Sequence, residues 1–275
     1  MQQTITRPIS CSGIGIHSGQ PVNLTFYPAP ANHGIKFIRQ DLKNDNRLKI
    51  TPGVFSGENN MTCLLKDSQV FLKTVEHLMA AIYGLEIDNL IIEVSNEEMP
   101  ALDGSALPYV DLLKEAKLKQ QKGEKQVALN IKDIVFEQGK EGSFLIALPA
   151  HAFKLSVAVD YPDLKPVGIQ IFSSKIEKGI FEKKIAPART LGKMKDLESY
   201  WEKGLAKGVN LNNAIGITDA GYSCPLRFID EIVRHKVMDL VGDLGGLRKR
   251  IKAHIIGYKT NHRLNINFMK KLSGL

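Results

Sequence analysis

The segment Phe228–Leu244, FIDEIVRHKVMDLVGDL, predicts an amphipathic helix that stops at the pair Gly245-Gly246. The apolar run Ala253–Tyr258 (AHIIGY) follows it and is typical of a strand. An earlier segment, Thr74–Glu86 (TVEHLMAAIYGLE), has the same plan, since it leads into Asn89–Val94 (NLIIEV). A histidine-bearing helix followed by a strand therefore occurs once in each half of the chain, which indicates two similar units.

The charged stretch Lys114–Lys125, KEAKLKQQKGEK, divides the chain into nearly equal halves and is the expected domain boundary. Each half also opens with strand-like segments, which are Pro21–Tyr27, Gly34–Ile38, Val127–Phe136, Phe144–Leu148 and Leu155–Val159. We therefore predict an α+β protein of two similar domains, residues 1–120 and 126–275, each a small β-sheet packed with helices.

Four helices are expected, and two of them carry the conspicuous histidines. Thr74 is a candidate cap for the first helix, with Glu76 in its first turn. The second helix is expected from about Leu107 to Leu118, with Pro108 tolerated in the first turn. The third is the segment that ends at Leu244, and the fourth covers about Leu264–Leu272.

The composition is that of a globular protein. With 275 residues, 43% hydrophobic and 24% charged, the sequence excludes general disorder. No apolar stretch approaches the roughly 20 residues of a membrane span, and the start has no apolar secretory segment. The three cysteines are far apart and form no CxxC, which is typical of reduced thiols in the cytoplasm.

The net charge of +8 suggests an anionic partner. Nucleic acid is disfavoured because the sequence has no zinc finger, RNA-binding aromatic signature or long arginine-rich arm. A phosphate-bearing small molecule explains the same charge, and peripheral contact with a membrane surface stays open. The sequence indicates no obligate protein partner.

The pair His235 and Asp239 is the most informative local pattern. Residues four apart lie on one helix face, so both side chains can bind one zinc ion, although a hydrogen-bonded surface pair has the same spacing. His77 is a candidate third ligand and the adjacent Glu76 a candidate base, with an exposed Glu and a core-edge His as the alternative. Three protein ligands would leave a position for water, as in catalytic zinc sites.

Further histidines near the C-terminus extend this pattern. Asp243 lies four residues beyond Asp239, and a carboxylate that holds His262 or His254 as an imidazolium would create a general acid. The helix N-terminus near His262 opposes its cationic form. A structural role is the alternative for each histidine.

These residues resemble the UDP-3-O-acyl-N-acetylglucosamine deacetylases, the zinc amidases of lipid A biosynthesis. The resemblance runs nearly end to end, and its most specific parts are TVEHL, LDGSA and RHKVMDLVGDL in this order. The other matching segments are SGIGIHSG, FYPAPANHGIKFIRQDL, NLIIEV, ARTLG and NHRLN. The resemblance implies two related domains that face each other around the metal.

The resemblance also implies a metal site and the groups that move protons. The zinc ligands, one ion per chain, would be His77, His235 and Asp239. Fe²⁺ is an alternative because two histidines and an aspartate accept either metal. By the same resemblance, Glu76 is the general base, His262 the general acid and Asp243 its carboxylate partner.

The substrate contacts follow from the resemblance too. Thr190 is similar to the hydroxyl that helps hold the oxyanion, and Lys236 to the side chain that meets the charged diphosphate. Tyr161 is a candidate for stacking on uracil. Leu191 stands where the family usually has phenylalanine, and Asn261 where it has glycine.

The implied reaction is removal of the N-acetyl group from UDP-3-O-acyl-N-acetylglucosamine in the cytoplasm, which releases acetate and the free amine. One alternative is the same chemistry on a different acylated nucleotide-sugar. Another is a non-catalytic module that binds a nucleotide-sugar lipid, which the pair Glu76 and His262 argues against.

Overall fold

The computed structural model describes residues 1–58, 60–124 and 127–275. Its helices are α1 (Glu76–Gly84), α2 (Leu107–Glu115), α3 (Lys178–Ile180), α4 (Leu197–Glu202), α5 (Glu231–Leu244) and α6 (His262–Ser273). Its strands are β1 (Gln2–Ile5), β2 (Ile9–Ile14), β3 (Pro21–Pro28), β4 (Ile35–Arg39), β5 (Arg47–Lys49), β6 (Phe55–Glu58), β7 (Met61–Lys66), β8 (Gln69–Leu72), β9 (Leu90–Val94), β10 (Leu118–Gln121), β11 (Leu129–Asn130), β12 (Val135–Gln138), β13 (Phe144–Pro149), β14 (Lys154–Tyr161), β15 (Gly168–Lys175), β16 (Leu191–Lys193), β17 (Ile215–Thr218), β18 (Gly221–Tyr222) and β19 (Ile251–Tyr258).

Two mixed sheets dominate the fold and have the same strand order. The first runs β2-β3-β9-β4-β5, and the second runs β12-β13-β19-β14-β15 with β11 added to β19. In the first sheet, the central strand β9 is parallel to β4 and antiparallel to β3. In the second sheet, the central strand β19 is parallel to β14 and antiparallel to β13. The expectation of two similar α+β domains is confirmed by this repeated order.

The helices repeat as well, and they form the layer that contains the site. Helix α1 precedes β9 and α5 precedes β19, while α2 and α6 follow these strands. Helix α5 packs against β14 and β15, and α1 and α6 both pack against α5. None of the helices in the described ranges is long and apolar enough to cross a membrane.

The first helix begins without the predicted cap. Thr74 has a φ of 59°, and its hydroxyl donates to Glu98 Oε1 at 3.2 Å instead of capping α1. The second helix ends at Glu115, three residues before the expected end, because Leu118 starts β10 and pairs with Ile5 of β1. The expected domain boundary, 114–125, thus contains the end of α2 and strand β10.

The other boundary shifts have local causes. Helix α5 begins at Glu231 and not at Phe228, and the Glu231 side chain accepts hydrogen bonds from Arg189. Helix α6 begins at His262 because the Asn261 side chain accepts a hydrogen bond from the Leu264 backbone at 3.0 Å. The strand expected over 127–136 is divided into β11, which pairs with β19, and β12, which pairs with β13.

Candidate active site

Three buried side chains from the two halves meet between α1 and α5. His77 Nε2 lies 3.7 Å and His235 Nε2 lies 3.4 Å from the same oxygen, Asp239 Oδ1. One ligand atom from each residue lies within 4.8 Å of the other two. His235 and Asp239 meet because they are four residues apart on α5. The contact of α1 with α5 brings His77 to them.

The arrangement of donors fits a divalent metal ion. Asp239 Oδ1 is buried and has no hydrogen-bond partner among the described residues, whereas Oδ2 accepts from Lys236 Nζ at 3.0 Å. His235 Nδ1 lies 3.2 Å from the carbonyl oxygen of Ala188, so this nitrogen carries the proton and Nε2 keeps its lone pair. Burial and the neighbouring His235 lower the pKa of His77 to about 3, which keeps it neutral. Two imidazoles and a carboxylate are typical zinc ligands.

The proposed base lies next to this cluster. Glu76 is 3% exposed, and its Oε2 accepts a hydrogen bond from the Thr62 backbone at 3.0 Å. The Thr62 hydroxyl donates to Asp243 Oδ1 at 2.6 Å. Thr62 therefore connects the proposed base to the proposed acid's partner. No sequence pattern pointed to Thr62.

The proposed acid completes the group from the N-terminus of α6. His262 Nδ1 lies 3.0 Å from Asp243 Oδ2, which also accepts from Asn265 Nδ2 at 2.9 Å. Its other nitrogen, Nε2, lies 3.9 Å from Glu76 Oε1 and 3.7 Å from Asp239 Oδ2. Asp243 and His262 therefore contact each other, and the second imidazole nitrogen faces the candidate base and the candidate metal ligands.

Burial shifts the protonation of the base and the acid. It raises the pKa of Glu76 to about 7, although the positive charge of His262 opposes the shift. Burial alone lowers the pKa of His262, but Asp243, Asp239 and Glu76 outweigh it and raise the pKa to about 9. These values concern the protein without metal, and a divalent cation would lower both. The two pKa values bracket a pH range in which Glu76 is deprotonated and His262 protonated, the states that a base and an acid require.

A buried ion pair holds the segment that contacts the candidate ligand His235. Glu231, 0% exposed, accepts from Arg189 Nε at 2.9 Å and from the Arg189 backbone at 3.0 Å. Arg189 lies between Ala188, whose carbonyl fixes the His235 ring, and Thr190. No sequence pattern predicts this pair, because no motif or spacing joins Arg189 to Glu231.

We expect Glu231→Gln to destabilise the fold by about 2–3 kcal/mol, because it leaves a largely buried guanidinium without its counter-charge. Displacement of Ala188 should also weaken zinc binding. Urea unfolding and a zinc competition titration measure the two effects. The neighbouring change Asp230→Asn is the control, since Asp230 forms a 2.6 Å i,i+4 pair with Arg234 whose loss should cost about 0.5 kcal/mol.

The sign of the pH dependence follows from the pKa of Glu231. Burial raises this pKa, but hydrogen bonds from Arg189 outweigh burial and leave it below the ordinary 4.5. The stabilisation is therefore present above pH 4.5 and is lost as the pH falls through the lowered folded-state value. A stability difference between Glu231→Gln and the wild type that persists in strong acid would contradict the ion-pair explanation.

One glycine sets the distance between α1 and α5. A Cβ on Gly242 would lie 2.1 Å from the backbone carbonyl oxygen of Glu76. This distance is too short, so the two helices would have to move apart. We expect Gly242→Ala to cost about 1–3 kcal/mol through overpacking and to weaken zinc binding by moving His77 away from Asp239. Thermal unfolding and zinc titration measure this.

Gly179→Ala is the matched control, since nothing lies within 4 Å of its would-be Cβ. If Gly242→Ala bound zinc as tightly as the control, the close approach of the two helices would not be needed for the site.

The predicted substrate residues lie in different positions around the cluster. Lys236 contacts Asp239 directly. Thr190 follows the Arg189 segment, and its backbone donates to the Gly104 carbonyl at 2.7 Å. In the described part of the chain, no hydrogen bond joins the Thr190 hydroxyl to the metal-ligand cluster. Leu191 begins β16, and Tyr161 ends β14; both are half-buried.

Two other residues are not part of the cluster. His254 lies on β19, and its Nε2 is 2.8 Å from the Ser156 hydroxyl, so the suggestion that it acts as an acid at this site is wrong. Cys63 is buried and free, and burial raises the pKa of its thiol to about 12. It is not in the group of potential ligands found among the described residues.

A buried His-His-Asp cluster between two helices, with a carboxylate and an imidazole beside it, is typical of a metal-dependent hydrolase. Residues 2–274 match the model of the LpxC family, described as UDP-3-O-acyl N-acetylglycosamine deacetylase. The chain belongs to this family, and the resemblance carried by its motifs is confirmed.

Individual relatives cover nearly the whole chain. The chain is similar to three proteins named UDP-3-O-acyl-N-acetylglucosamine deacetylase. That of Bdellovibrio bacteriovorus is 35% identical over 274 residues, which is 99% of this chain and 89% of the relative. That of Myxococcus xanthus is 36% identical over 273 residues, 98% of this chain and 86% of the relative. That of Chlamydia caviae is 36% identical over 273 residues, which is 98% of this chain and 96% of the relative.

Proposed function

We propose that this chain hydrolyses the 2-acetamido group of UDP-3-O-acyl-N-acetylglucosamine, giving acetate and the free amine, a step of lipid A biosynthesis. One observation carries the assignment: the ligand set His77, His235 and Asp239 has a base and an acid within 4 Å of each other beside it. A module that only binds the substrate needs neither of these proton-transfer groups.

The metal is proposed to be Zn²⁺, one per chain, held by His77 Nε2, His235 Nε2 and Asp239 Oδ1. When bound, it would act as a Lewis acid that polarises the amide carbonyl and acidifies water. Lys236 holds the second oxygen of Asp239, so Oδ1 stays directed at the two imidazoles. Fe²⁺ is the alternative metal, and elemental analysis of protein purified without oxygen distinguishes the two.

The two proton transfers use residues that face each other. Glu76 Oε1 accepts a proton from the attacking water, while its Oε2 stays fixed by the Thr62 backbone. His262 then donates a proton from Nε2 to the departing amine nitrogen, and Asp243 at Nδ1 stabilises the imidazolium. The carbon–nitrogen bond breaks, and the products are acetate and the amine.

The surrounding residues are proposed to position the substrate. The Thr190 hydroxyl would donate to the developing oxyanion, a kind of contact that contributes about 3–4 kcal/mol per donor. Lys236 would meet the diphosphate, Tyr161 would stack on uracil, and Leu191 would line the site with less area than an aromatic ring. Tyr161 ends β14, and β14 packs against α5, the helix that carries Lys236, which supports a shared subsite.

The rate of acetate release should depend on pH with a bell shape. Glu76 must be deprotonated, so the rate rises through its pKa, about 7 without metal. His262 must be protonated, so the rate falls through its pKa, about 9 without metal. A bound cation moves both limbs to lower pH. kcat/KM measured across pH tests this, and His262→Gln should remove the alkaline limb.

The proposed activity is tested by incubating the zinc-loaded protein with UDP-3-O-acyl-N-acetylglucosamine and measuring acetate and free amine together. Substrates of different acyl length, and one with another nucleotide, test the alternative that the same chemistry serves a different nucleotide-sugar. Binding of the substrate without release of acetate would identify a non-catalytic module.

The remaining assignments are also proposals. We propose the cytoplasm as the location, and the three free cysteines support a reducing compartment. The domain limits 1–120 and 126–275 are supported by β10, which ends at Gln121 and pairs with β1 of the first half. Residues 125 and 126 lie outside the described ranges.

A further inference from the structure

The two sheets share a strand order but have different outward faces. On the first sheet, the side chains that point away from the helices are mostly polar. Ser10 lies 2.9 Å from the Thr25 hydroxyl, and the Ser12 hydroxyl donates to Asn23 at 2.7 Å. These pairs come from neighbouring positions of β2 and β3. The first sheet thus has an ordinary solvent-facing surface.

The second sheet has an apolar surface at the corresponding place. Leu155, Val157 and Val159 of β14 are buried on the helix side, so the alternate positions of this strand and their cross-strand neighbours face outward. The apolar residues among these outward positions form what we name the outer apolar face: Phe136, Phe144, Ile146, Ala158, Ile169, Ile171, Ile256 and Tyr258. Ser156 and Ser173, whose hydroxyls lie 2.7 Å apart, are polar positions on the same side.

Neighbouring residues of this face are in register. Phe136 pairs with Ile146, and Ile146 pairs with Ile256. Phe144 pairs with Tyr258, with ring centroids 5.9 Å apart. Ile169 and Ile171 of the edge strand β15 are 70% and 68% exposed, and Phe136 at the opposite edge is 46% exposed. Phe144, Tyr258, Ala158 and Ile171 form an unbroken apolar row across four strands, beside the Ser156–Ser173 pair. An exposed apolar row of this kind on a sheet is typical of an interaction surface.

A row of positive charge borders the outer apolar face at one end. Lys154 pairs with Lys175 on one side and with His254 on the other, and Lys252 is two residues before His254 on the same face. We name Lys154, Lys175 and Lys252 the lysine row. The outward acid of β14, Asp160, is at the other end of the strand, where it forms an ion pair with Lys259 and accepts a hydrogen bond from the Tyr258 hydroxyl.

We propose that the outer apolar face, with the lysine row at its border, docks on the surface of an anionic phospholipid bilayer. Apolar side chains would enter the boundary between headgroups and acyl chains, and the lysines would contact phosphate groups. The chain carries a net charge of +8, so a second copy of it is repelled where an anionic surface is attracted. The inference goes beyond the proposed reaction and does not depend on it.

The test is sedimentation of the full chain with vesicles of phosphatidylethanolamine and phosphatidylglycerol, compared with vesicles of phosphatidylcholine. Each lysine near an anionic surface contributes about fivefold to binding, so Lys154→Gln with Lys175→Gln should weaken it roughly 25-fold. The matched control is Lys36→Gln with Lys49→Gln, because these lysines are paired in the same way on the first sheet. Both double variants have the same net charge.

A change in the apolar part tests the second half of the proposal. Ile171→Ser should weaken binding about tenfold. It should also leave the thermal unfolding temperature unchanged, since the side chain is 68% exposed. Binding only to the anionic vesicles, with loss confined to the second-sheet variants, is the expected result.

Three results would overturn the proposal: no sedimentation with anionic vesicles, equal loss in the two double lysine variants, or unchanged binding by Ile171→Ser. A dimer in solution that Ile171→Ser dissociates would assign the face to a second copy instead. Glu76→Gln should bind vesicles like the wild type, so failure of the proposed reaction and failure of docking are distinguishable.

Discussion

Replacement of Glu76 by glutamine should leave one zinc ion per chain and lower kcat for acetate release by about 10²–10⁴-fold. The amide keeps the size of the side chain, and the Thr62 backbone can still donate to its oxygen. It cannot accept the proton of the attacking water at neutral pH. Elemental analysis and turnover are measured on the same sample, so that metal loss and loss of the base are separated.

Glu97→Gln is the matched control, because Glu97 is 45% exposed at its side chain and pairs with Lys73 at the surface. It should turn over like the wild type. Near-normal turnover by zinc-loaded Glu76→Gln would remove Glu76 from the role of base and leave the proton acceptor to another group.

Replacement of His235 by alanine should abolish stoichiometric metal binding and, with it, activity. His235 is 3% exposed, and its ring is oriented by the Ala188 carbonyl, so no neighbouring side chain can move into its position without disturbing the segment held by Arg189. The two remaining ligands, His77 and Asp239, provide an incomplete site. Metal content after dialysis gives the answer directly.

The control for this change is His254→Ala, since His254 is a histidine of the same domain that lies on the outward side of β19. It should retain one metal ion per chain. A His235→Ala protein with unchanged zinc content would rule out the proposed ligand set.

Local spacing predicted part of the site, and the family resemblance supplied more. His235, Asp239 and Asp243 could be placed on one face because a helix repeats every 3.6 residues. Nothing local shows that His77 meets them, since that contact depends on how α1 packs against α5. His77 and His262 were candidates among other readings, and the resemblance assigned their roles; the structure places both near the same carboxylate, Asp239.

The missed residues have partners that are distant in sequence. Thr62 contacts Asp243, 181 positions away, and Arg189 contacts Glu231, 42 positions away. Their side-chain types are common on surfaces, so no pattern distinguishes them beforehand. Only the packing of β7 and of the Arg189 segment against α5 brings these groups together.

The fold was predictable at the level of its repeat and less so at its element ends. The repeated helix–strand order indicated two similar domains, and the two sheets have the same strand order. The end of α2 was missed because Leu118 gains strand pairing with Ile5, a contact 113 positions away. Contrary to the prediction, Thr74 does not cap α1, because its hydroxyl donates to Glu98, on a distant loop.

Anomalous diffraction from crystals of the zinc-loaded protein, recorded at the zinc absorption edge, tests most directly whether the two halves share one metal ion. We predict a single peak at about 2.0–2.2 Å from His77 Nε2, His235 Nε2 and an oxygen of Asp239. A peak bound elsewhere, or imidazoles of His77 and His235 that turn away from each other in the loaded protein, would contradict it.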